Sequence, residues 1–340
     1  MSPSVLVPVV ESSQVALVRR MALGLGTQVG LDSAAVGNLG LAVTEAATNL
    51  VKHATNGFFL LRELVREEAG EVRARGVEVL CIDRGPGIAN VGACMRDGFS
   101  TAGSPGTGLG AMRRLASGFD LHSLVGTGTT LLLEFWSRDA ARADPAARVA
   151  VGSVSVAHAR EEVCGDGWST AREGHLTALL VVDGIGHGQA AADAARIAIE
   201  SFRSDPTRAV VDQIAVLGDA LRGSRGAAAA VTLIDHERRT VDHCGVGNTS
   251  STLLHADGIE RMVSQPGTLG HNARHVRAFR YAWTPTTTAV LTTDGISTRW
   301  NLDAYPEHVR CHPSLVAGML YRDWQRGEDD ATVLVARGIA

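Results

Sequence analysis

The sequence predicts an α/β (α+β) protein of two domains, and three observations lead to this prediction. The chain has 340 residues, whereas a single domain typically has roughly 100–200. A charged, Ala-rich stretch that contains Pro145 runs from Ser137 to Arg148. Before this stretch helices alternate with strands, and after it strands dominate. We therefore predict domains at residues 1–137 and 149–340, joined by a linker at residues 138–148. The other interpretation of the stretch is a surface helix inside one domain.

The first domain is predicted to run helix, helix, strands, helix, strands. Asp32 and Ser33 form an N-cap signal, and apolar residues follow at helical spacing: Val36, Leu39, Val43, Ala47, Leu50 and Ala54. Thr55-Asn56-Gly57 ends this helix. The later elements are a strand at Val77–Asp83, a helix at Thr107–Ser117 and a hairpin at Leu121–Trp136 that turns at Gly126-Thr127-Gly128.

The second domain is predicted to be a sheet sandwich flanked by helices, because extended segments alternate there with a few helical ones. The predicted strands are Val149–Ala157, Leu176–Asp183, Ala228–Asp235, Val276–Trp283, Thr286–Thr293 and Ala331–Ala336. The predicted helices are Gln189–Arg203, Thr207–Leu221 and His312–Arg326.

Composition and charge exclude several classes of protein. Hydrophobic residues make up 45% and charged residues 20% of the chain, which is ordinary for a globular protein. The net charge of −4 lacks the basic excess of a nucleic-acid binder. Five cysteines without a CxxC pair argue against a disulfide framework or a zinc site. We find no signal peptide and no apolar run of about 20 residues, so we expect a cytoplasmic protein without a membrane partner.

The first domain contains the residues of a nucleotide site. Glu45 and Asn49 are four residues apart on the predicted helix and share a face, which His53 continues. Asp83-Arg84-Gly85-Pro86-Gly87-Ile88 follows a strand, so the carboxylate of Asp83 is suited to accept a hydrogen bond from an adenine amino group. Gly106-Thr107-Gly108-Leu109-Gly110 precedes a helix, where backbone N–H groups and the helix dipole attract phosphate.

The segments EAATNLVKHA, DRGPGI and GTGLGAMRRL resemble the ATP-binding boxes of the GHKL superfamily, which includes gyrases and histidine kinases. With the continuation GFDLHSLVGTGTTLLLEFW, residues 5–136 look most like the switch serine kinases of bacterial partner-switching systems. The resemblance implies a Bergerat-type α/β sandwich that binds ATP with Mg²⁺. It implies that Glu45 is the general base, that Asn49 helps to bind Mg²⁺ and that Asp83 reads adenine. The glycine boxes would shape the pocket and its lid: Gly85, Gly87, Gly106, Gly108 and Gly110, with Thr107 and Leu109.

The second domain places aspartates after strand-like runs. Asp166 lies in CGDG, Asp183 follows LLVV, Asp294 follows AVLTT, and Asp329 precedes a strand. An isolated Asp-Gly pair is usually a turn, and Asp257-Gly258 is interpreted as a plain hairpin turn. Carboxylate and carbonyl oxygens are the ligands that Mg²⁺ and Mn²⁺ prefer, and two such ions can activate water and hold a phosphate.

The segments GDGW, VVDGIGHG, GVGNTS, LTTDGIS and EDDATVLVAR resemble the metal-dependent serine/threonine phosphatases, most closely their SpoIIE-like branch, over residues 149–338. The resemblance implies an αββα sandwich with two Mn²⁺ or Mg²⁺ ions. It implies that Asp183 bridges both ions and is central to catalysis, and that the Gly184 carbonyl binds one ion. Asp166, Asp294 and Asp329 would bind the other, with Asp330 the less favoured member of its pair.

Some roles stay open at this point. His187 is either an acid near the phosphate or, as the preferred interpretation, a structural hydrogen-bonding residue at a helix start. Arg160 and Arg172 are the two candidates for a residue that grips phosphate. We expect Cys164 to serve packing, and no catalytic role is given to Asn248. The charged run from Arg62 to Arg75 is interpreted as a solvated hairpin, with a partner surface as the alternative.

Two functions follow from these expectations. In the first, the chain is a bifunctional enzyme of a stress or sigma-factor control pathway. It would phosphorylate Ser or Thr of a STAS-domain antagonist with ATP and would dephosphorylate the same or a related phosphoprotein. In the second, the ATP-binding domain senses nucleotide or sequesters a partner, as an anti-sigma-like module, and gates the phosphatase without kinase turnover. A third possibility, that one module is degenerate, is opposed by the completeness of both sets of motifs. The oligomeric state stays open.

Overall fold

The computed structural model describes residues 3–68, 71–95, 108–137, 147–273, 276–302, 305 and 308–339. Residues 138–146 of the predicted linker, together with Gly106 and Thr107, lie outside the described residues. The chain divides into two compact units. The first comprises Ser2–Pro145 with Leu302–Arg322, and the second comprises Ala146–Asn301 with Asp323–Ala340. The predicted α/β fold class with two domains is confirmed.

The first unit contains one five-stranded antiparallel sheet. Its strands are β1 (Val5–Pro8), β2 (Phe58–Glu68), β3 (Glu71–Ile82), β4 (Gly118–Leu124) and β5 (Gly128–Trp136), in the spatial order β1-β2-β3-β5-β4. The helices from the N-terminal half are α1 (Ser12–Gln28), α2 (Ser33–His53), α3 (Val91–Cys94) and α4 (Gly108–Leu115).

The described residues of the second unit form two sheets and two helices. Its helices are α5 (Gln189–Arg203) and α6 (Val210–Ala220). The first sheet has the order β13-β10-β9-β8-β7 with β14 beside β10, and the second has the order β12-β11-β15-β16-β6. The strands are β6 (Val149–Val156), β7 (Asp166–Glu173), β8 (Leu176–Gly184), β9 (Ala227–Asp235), β10 (Thr240–Val246), β11 (Ser250–His255), β12 (Gly258–Met262), β13 (Ser264–Gln265), β14 (Phe279–Ala282), β15 (Thr288–Thr292) and β16 (Ala331–Gly338).

Two apolar cores hold the second unit together. One lies between α5, α6 and the first sheet, where Ala195 and Ile214 meet strand residues such as Val231. The other lies between the two sheets and includes Val181 and Leu334. This arrangement provides the helix layer and the two stacked sheets of the predicted sandwich.

Helix α2 begins where the sequence predicts. The Asp32 side chain accepts a hydrogen bond from the backbone N–H of Ala35 at 2.8 Å, and this bond satisfies one of the donors that the first turn leaves unpaired. The helix then turns one face to the core through Leu39, Val43 and Ala47. The face that carries the predicted nucleotide residues is therefore directed away from this core.

The sheet of the first unit is buried on both faces. Phe59, Val79 and Leu133 point to the face that packs against α1 and α2. Their neighbours Leu80 and Leu132 point to the opposite face, because successive strand residues alternate, and they are buried too. A sheet that is apolar on both faces needs a second covering layer.

Helix α7 (Pro313–Trp324), from the C-terminal half of the chain, supplies that layer. A Cβ atom on Gly318 would lie 3.1 Å from the Ile82 side chain and 3.5 Å from that of Leu80, so the helix backbone approaches the sheet closely at this glycine. The sequence assigned this helix to the second domain by position, whereas its residues up to Arg322 group with the first unit.

A buried ion pair lies on the same face. Glu78 receives two hydrogen bonds from Arg62, at 2.5 and 2.9 Å, and a third from the Ser314 hydroxyl at 2.6 Å. Arg62 is only 8% exposed. The solvated hairpin expected at Arg62–Arg75 is therefore wrong at its first residue, because a cross-strand carboxylate neutralises that arginine inside the protein.

Other elements differ from the sequence predictions in extent. The strand predicted at Val276–Trp283 is the shorter β14, and β7 was not predicted because its sequence, DGWSTARE, shows no regular apolar alternation. The hairpin turn predicted at Asp257-Gly258 is confirmed by the pairing of β11 with β12. Within the described ranges, no helix is long and apolar enough to cross a membrane.

We predict that Glu78→Ala lowers the free energy of unfolding of the first unit by about 3–5 kcal/mol, because it removes the buried carboxylate that balances the Arg62 charge. The matched control is Glu71→Ala, whose pair with Arg73 is exposed (70% and 53%) and should contribute about 0–1 kcal/mol. Urea denaturation of the full chain measures both. Equal, small effects of the two substitutions would contradict the role given to Glu78.

Candidate functional sites

The helical residues of the predicted nucleotide site lie together on α2. Glu45 and Asn49 are half-buried and His53 is exposed near the end of the helix. Residues four apart lie one above the other on a helix face. The first glycine of α4 lies beside them, since a Cβ atom on Gly108 would stand 3.7 Å from a carboxylate oxygen of Glu45. The second half of the glycine box therefore adjoins the predicted general base.

The rest of that box has different surroundings. Leu109 is half-buried and packs against the apolar core, and Gly110 is buried in α4. Because α4 begins at Gly108, the backbone N–H groups of its first turn have no partners within the helix. Such groups are suited to bind phosphate.

Asp83 follows β3 in a loop that holds its carboxylate in place. One carboxylate oxygen, Oδ1, accepts hydrogen bonds from the backbone N–H groups of Gly85 at 2.6 Å and Thr129 at 3.3 Å. The residue is 8% exposed. Burial raises the pKa of the Asp83 carboxyl, while the two backbone donors and the charge of Arg322 lower it.

The glycines of the Asp83 loop are required by close packing. A Cβ atom on Gly85 would lie 3.0 Å from the backbone of Ala54, at the end of α2. Gly87 has a positive φ of 71°, and a Cβ atom there would collide with the Leu124 carbonyl. These glycines therefore allow the loop to pack against α2 and the β4–β5 turn.

The predicted metal ligands converge in the second unit. Asp166 and Asp183 face each other in the register of β7 and β8. The Thr293 hydroxyl donates to Oδ2 of Asp166 at 2.6 Å, and Asp294 follows directly in the chain. Burial and the adjacent Asp183 both raise the pKa of the Asp166 carboxyl.

Asp183 lies at the centre of this acidic cluster. Burial raises the pKa of Asp183 to about 8, and the charges of Asp294, Asp329 and Asp330 add to the increase. Burial and Asp329 likewise raise the pKa of Asp294. Carboxylates that repel one another in this way are stabilised by a cation.

Hydrogen bonds hold two of these carboxylates in place. The side-chain amide of Asn248 donates to Oδ2 of Asp294 at 2.6 Å. The backbone N–H of His158 donates to Oδ1 of Asp330 at 2.8 Å. No catalytic role was expected for Asn248, and its amide orients a predicted ligand without being one itself.

The cluster has the character expected of a site for hard cations. Oδ2 of Asp183 and Oδ2 of Asp330 are buried and have no hydrogen-bond partner. Buried carboxylate oxygens without partners are costly, and an all-oxygen donor set fits Mg²⁺ or Mn²⁺. Among the described residues, however, no group of three or more His, Cys, Asp or Glu side chains forms a preassembled metal cage. The fit to hard cations rests on the oxygen donors and on the two unpartnered carboxylate oxygens.

The structure describes the surroundings of the three residues whose roles the sequence left undecided. His187 hydrogen-bonds Glu161 at 2.5 Å and stacks on His158, with ring centroids 5.3 Å apart. Arg160 lies two residues from His158 in the same loop. Arg172 lies six residues beyond Asp166 along β7, which is roughly 20 Å at the rise of a strand.

Arg225 is a residue that the sequence analysis missed. Its guanidinium stands 3.1 Å from the point where a Cβ atom on Gly186 would lie, and the backbone of Ile185 hydrogen-bonds Gly226 at 3.1 Å. Arg225 therefore adjoins the loop that follows Asp183. No motif marks it, because it precedes β9 and reaches the loop only through the pairing of β8 and β9.

Comparison with protein-family models matches both halves of the chain. Residues 9–135 match the histidine kinase-like ATPase domain, and residues 173–338 match the stage II sporulation protein E (SpoIIE) family. The serine/threonine-protein kinase RsbT of Bacillus subtilis (strain 168) is 29% identical over 120 residues, which are 35% of this chain and 86% of RsbT. The phosphoserine phosphatase RsbX of the same organism is 23% identical over 142 residues, which are 40% of this chain and 69% of RsbX.

Solved structures add a likeness of fold. A chain from a study of the bacterial stressosome, described as a modular system adapted to control secondary messenger signalling, is 30% identical with a TM-score of 0.53. The match covers 56% of this chain and all of that one. RsbX in complex with magnesium is 17% identical with a TM-score of 0.52, over 58% of this chain and 98% of that one. The chain thus joins a histidine kinase-like ATPase domain, homologous to RsbT, to a SpoIIE-family phosphatase domain, homologous to RsbX.

Proposed function

We propose that this chain is a bifunctional signalling enzyme that adds phosphate to Ser or Thr of a partner protein with ATP and removes phosphate from the same or a related protein. The observation that carries the proposal is that each unit has its own set of polar groups suited to its reaction. Glu45 adjoins the glycine box in one unit, and mutually repelling aspartates converge in the other.

For the phosphatase reaction, we propose that Asp183 would be the central ligand of two Mg²⁺ or Mn²⁺ ions, and that Asp166, Asp294, Asp329 and the Gly184 carbonyl would help to hold them. When bound, such ions supply an activated water and neutralise phosphate charge. Asn248 and Thr293 orient Asp294 and Asp166 through the hydrogen bonds described above. Asp330 holds the His158 backbone and so fixes the loop beside the cluster.

We propose Arg225 as the residue that grips the substrate phosphate. A guanidinium is a planar, permanently charged donor that suits phosphate oxygens. Arg225 is favoured over Arg172 because it lies beside Gly186 in the loop after Asp183. Arg172 lies on β7 far from Asp166. His187 is held by Glu161 and is proposed to keep a structural role.

For the kinase reaction, we propose that Asp83 accepts the adenine amino group and that Asn49 helps to hold the Mg²⁺ that accompanies ATP. His53 and the boxes Gly85, Gly87 and Gly106 to Gly110 would line the nucleotide site. Glu45 would orient the attacking Ser or Thr hydroxyl and accept its proton. Transfer of a phosphoryl group depends mainly on positioning and on neutralising charge, and this set of groups supplies both.

The proposed partner is a STAS-domain antagonist or scaffold protein of a stress or sigma-factor control pathway. Support comes from the homology to RsbT and RsbX and from the likeness to a chain of the bacterial stressosome. RsbT is named as a protein kinase and RsbX as a phosphoserine phosphatase. One chain that carries both activities would set the phosphorylation level of its partner by their ratio.

A second candidate function has an observation of its own. The ATP-binding unit would sense nucleotide and gate the phosphatase without kinase turnover. Residues 302–322, which group with that unit, lie in the chain between the proposed ligands Asp294 and Asp329. The two ends of the intervening chain are joined by an antiparallel bridge between Ile296 and Gln325. If a change of bound nucleotide moved residues 302–322, the backbone next to Asp294 and Asp329 would therefore be displaced as well.

We predict that Asp183→Asn reduces metal-dependent hydrolysis of p-nitrophenyl phosphate by at least about 100-fold, because it weakens the shared ligand. Asp257→Asn is the matched control, since Asp257 is exposed in the β11–β12 hairpin turn, and it should leave the rate unchanged. If the two variants hydrolyse the ester at similar rates, Asp183 has no part in the mechanism.

The stability of the metal-free second unit should fall as pH rises. The Asp183 carboxyl has a pKa of about 8 in the folded protein and about 4 in the unfolded chain. The unfolded chain therefore loses this proton at a lower pH than the folded protein does. The contribution of this carboxyl is therefore fully present below about pH 4 and is lost as pH rises through about 8. Calorimetry with a chelator should show the melting temperature decreasing over this range.

Added Mg²⁺ or Mn²⁺ should reverse this loss, because the ions bind the ionised carboxylates. The increase in melting temperature at millimolar metal should be larger near about pH 8.5 than near about pH 5.5. Asp183→Asn should flatten the metal-free pH dependence. An equal metal effect at both pH values would count against the proposed site.

We predict that Glu45→Gln lowers phosphoryl transfer to a STAS-domain partner by about 10²–10⁴-fold, since it removes the proposed base. ATP affinity should stay within about threefold of wild type, because the amide conserves shape and loses only the charge. Intact-protein mass spectrometry of the partner after incubation with ATP and Mg²⁺ measures the transfer. A phosphoryl adduct formed equally well by Glu45→Gln would remove Glu45 from the reaction. The absence of any adduct with wild type, while partner binding is intact, would favour the nucleotide-sensing function.

A further inference from the structure

Helix α7 is unusual because it is buried on all sides. Its ten residues from Pro313 to Arg322 are buried, and two of them, Ser314 and Arg322, are polar. A surface helix leaves its polar face in water, so polar side chains on a fully buried helix need partners inside the protein. The partners of these side chains define the role of the helix in the first unit.

The partners follow one line across the sheet. Before the helix, the His312 backbone N–H donates to Asp120 on β4 at 2.6 Å. Ser314 in its first turn donates to Glu78 on β3. Near its end, the ring of Tyr321 meets that of Phe58 on β2 edge-on, with centroids 6.1 Å apart. The helix therefore crosses the sheet and ends beside the loop that follows β3.

Arg322 makes the last contact, with the Asp83 loop. Its guanidinium Nη1 donates to the backbone carbonyl of Asp83 at 3.2 Å. In return, the Arg84 guanidinium donates to the backbone carbonyl of Arg322. The two arginines thus form a reciprocal clamp between the end of α7 and the loop. Arg322 is 3% exposed, so its charge is placed where only protein groups can balance it.

We propose that Arg322 is a positioning residue of the nucleotide site, which fixes the Asp83 loop in the geometry that recognises adenine. The inference rests on the proposed role of Asp83 as the adenine acceptor. Arg322 acts through the loop and does not itself contact nucleotide. The positive charge also favours the ionised form of Asp83, which is the form that accepts a hydrogen bond from an amino group.

A loop held by Arg322 should also affect which base the nucleotide site selects. Adenine offers an amino group where guanine has a carbonyl oxygen, and a site built to accept a donor discriminates strongly against a ligand that lacks it. A carboxylate held rigidly by Arg322 should prefer ATP to GTP. A loosened loop should lose affinity for ATP while its weak affinity for GTP changes little.

The test is isothermal titration calorimetry of the full chain with ATP and with GTP in the presence of Mg²⁺. For Arg322→Ala we expect the ATP Kd to rise by about tenfold or more, the loss expected for one hydrogen bond with a charged donor. The ATP-over-GTP preference should fall by a similar factor. Arg322→Lys, which keeps the charge and a donor but not the planar fork, should lie between wild type and Arg322→Ala.

Ser314→Ala is the matched control, because it disturbs α7 at the end that is remote from Asp83. It should lower the melting temperature and leave both nucleotide affinities unchanged. Equal losses for ATP and GTP in Arg322→Ala would mean general loosening and would overturn the positioning role. Wild-type ATP affinity in Arg322→Ala would overturn it as well.

Two further outcomes separate this inference from the proposed function. If Arg322→Ala does not fold, Arg322→Lys decides alone: an ATP preference equal to wild type overturns the inference, and a reduced one supports it. If wild type itself binds neither nucleotide, the proposed nucleotide site fails. If wild type prefers ATP and the Arg322 variants do so equally, only the inference about Arg322 fails.

Discussion

The constraint on which the first unit depends is a sheet with two apolar faces. Such a sheet cannot leave either face in water, because burial of apolar area is the main favourable term in folding. Helices α1 and α2 cover one face, and the other is covered by α7 from the far end of the chain. The ATPase unit is therefore completed by residues that lie between two aspartates of the phosphatase unit.

The phosphatase unit depends on a different balance. Its strands bring Asp166, Asp183 and Asp294 to one place, where burial and nearby like charges together raise the pKa of each carboxyl. Asn248 and Thr293 fix individual oxygens, but they do not neutralise the cluster. The ionised carboxylates repel one another, and a bound divalent cation offsets this repulsion. Metal binding should therefore increase the free energy of unfolding of this unit.

The sequence predicted those parts of the molecule that local patterns determine. Helix α5 begins and ends at the predicted residues, Gln189 and Arg203, and Asp183 follows the apolar run LLVV as expected. Contacts between segments that are distant in the chain could not be predicted from local sequence patterns. The sequence of α7, a mostly apolar helix, does not show which sheet the helix covers, and Arg62 is buried through a partner sixteen residues away. Arg225 and Arg322 reach their loops only through tertiary packing, so no motif marks them.

The central structural claim is that α7 belongs to the nucleotide-binding unit. Hydrogen exchange of the full chain, followed by mass spectrometry with and without ATP and Mg²⁺, tests it most directly. If α7 belongs to this unit, ATP should slow amide exchange both in the loop after Asp83 and in residues 315–322 of α7, since the two are clamped together. Slower exchange in the Asp83 loop alone, with α7 unchanged, would contradict it.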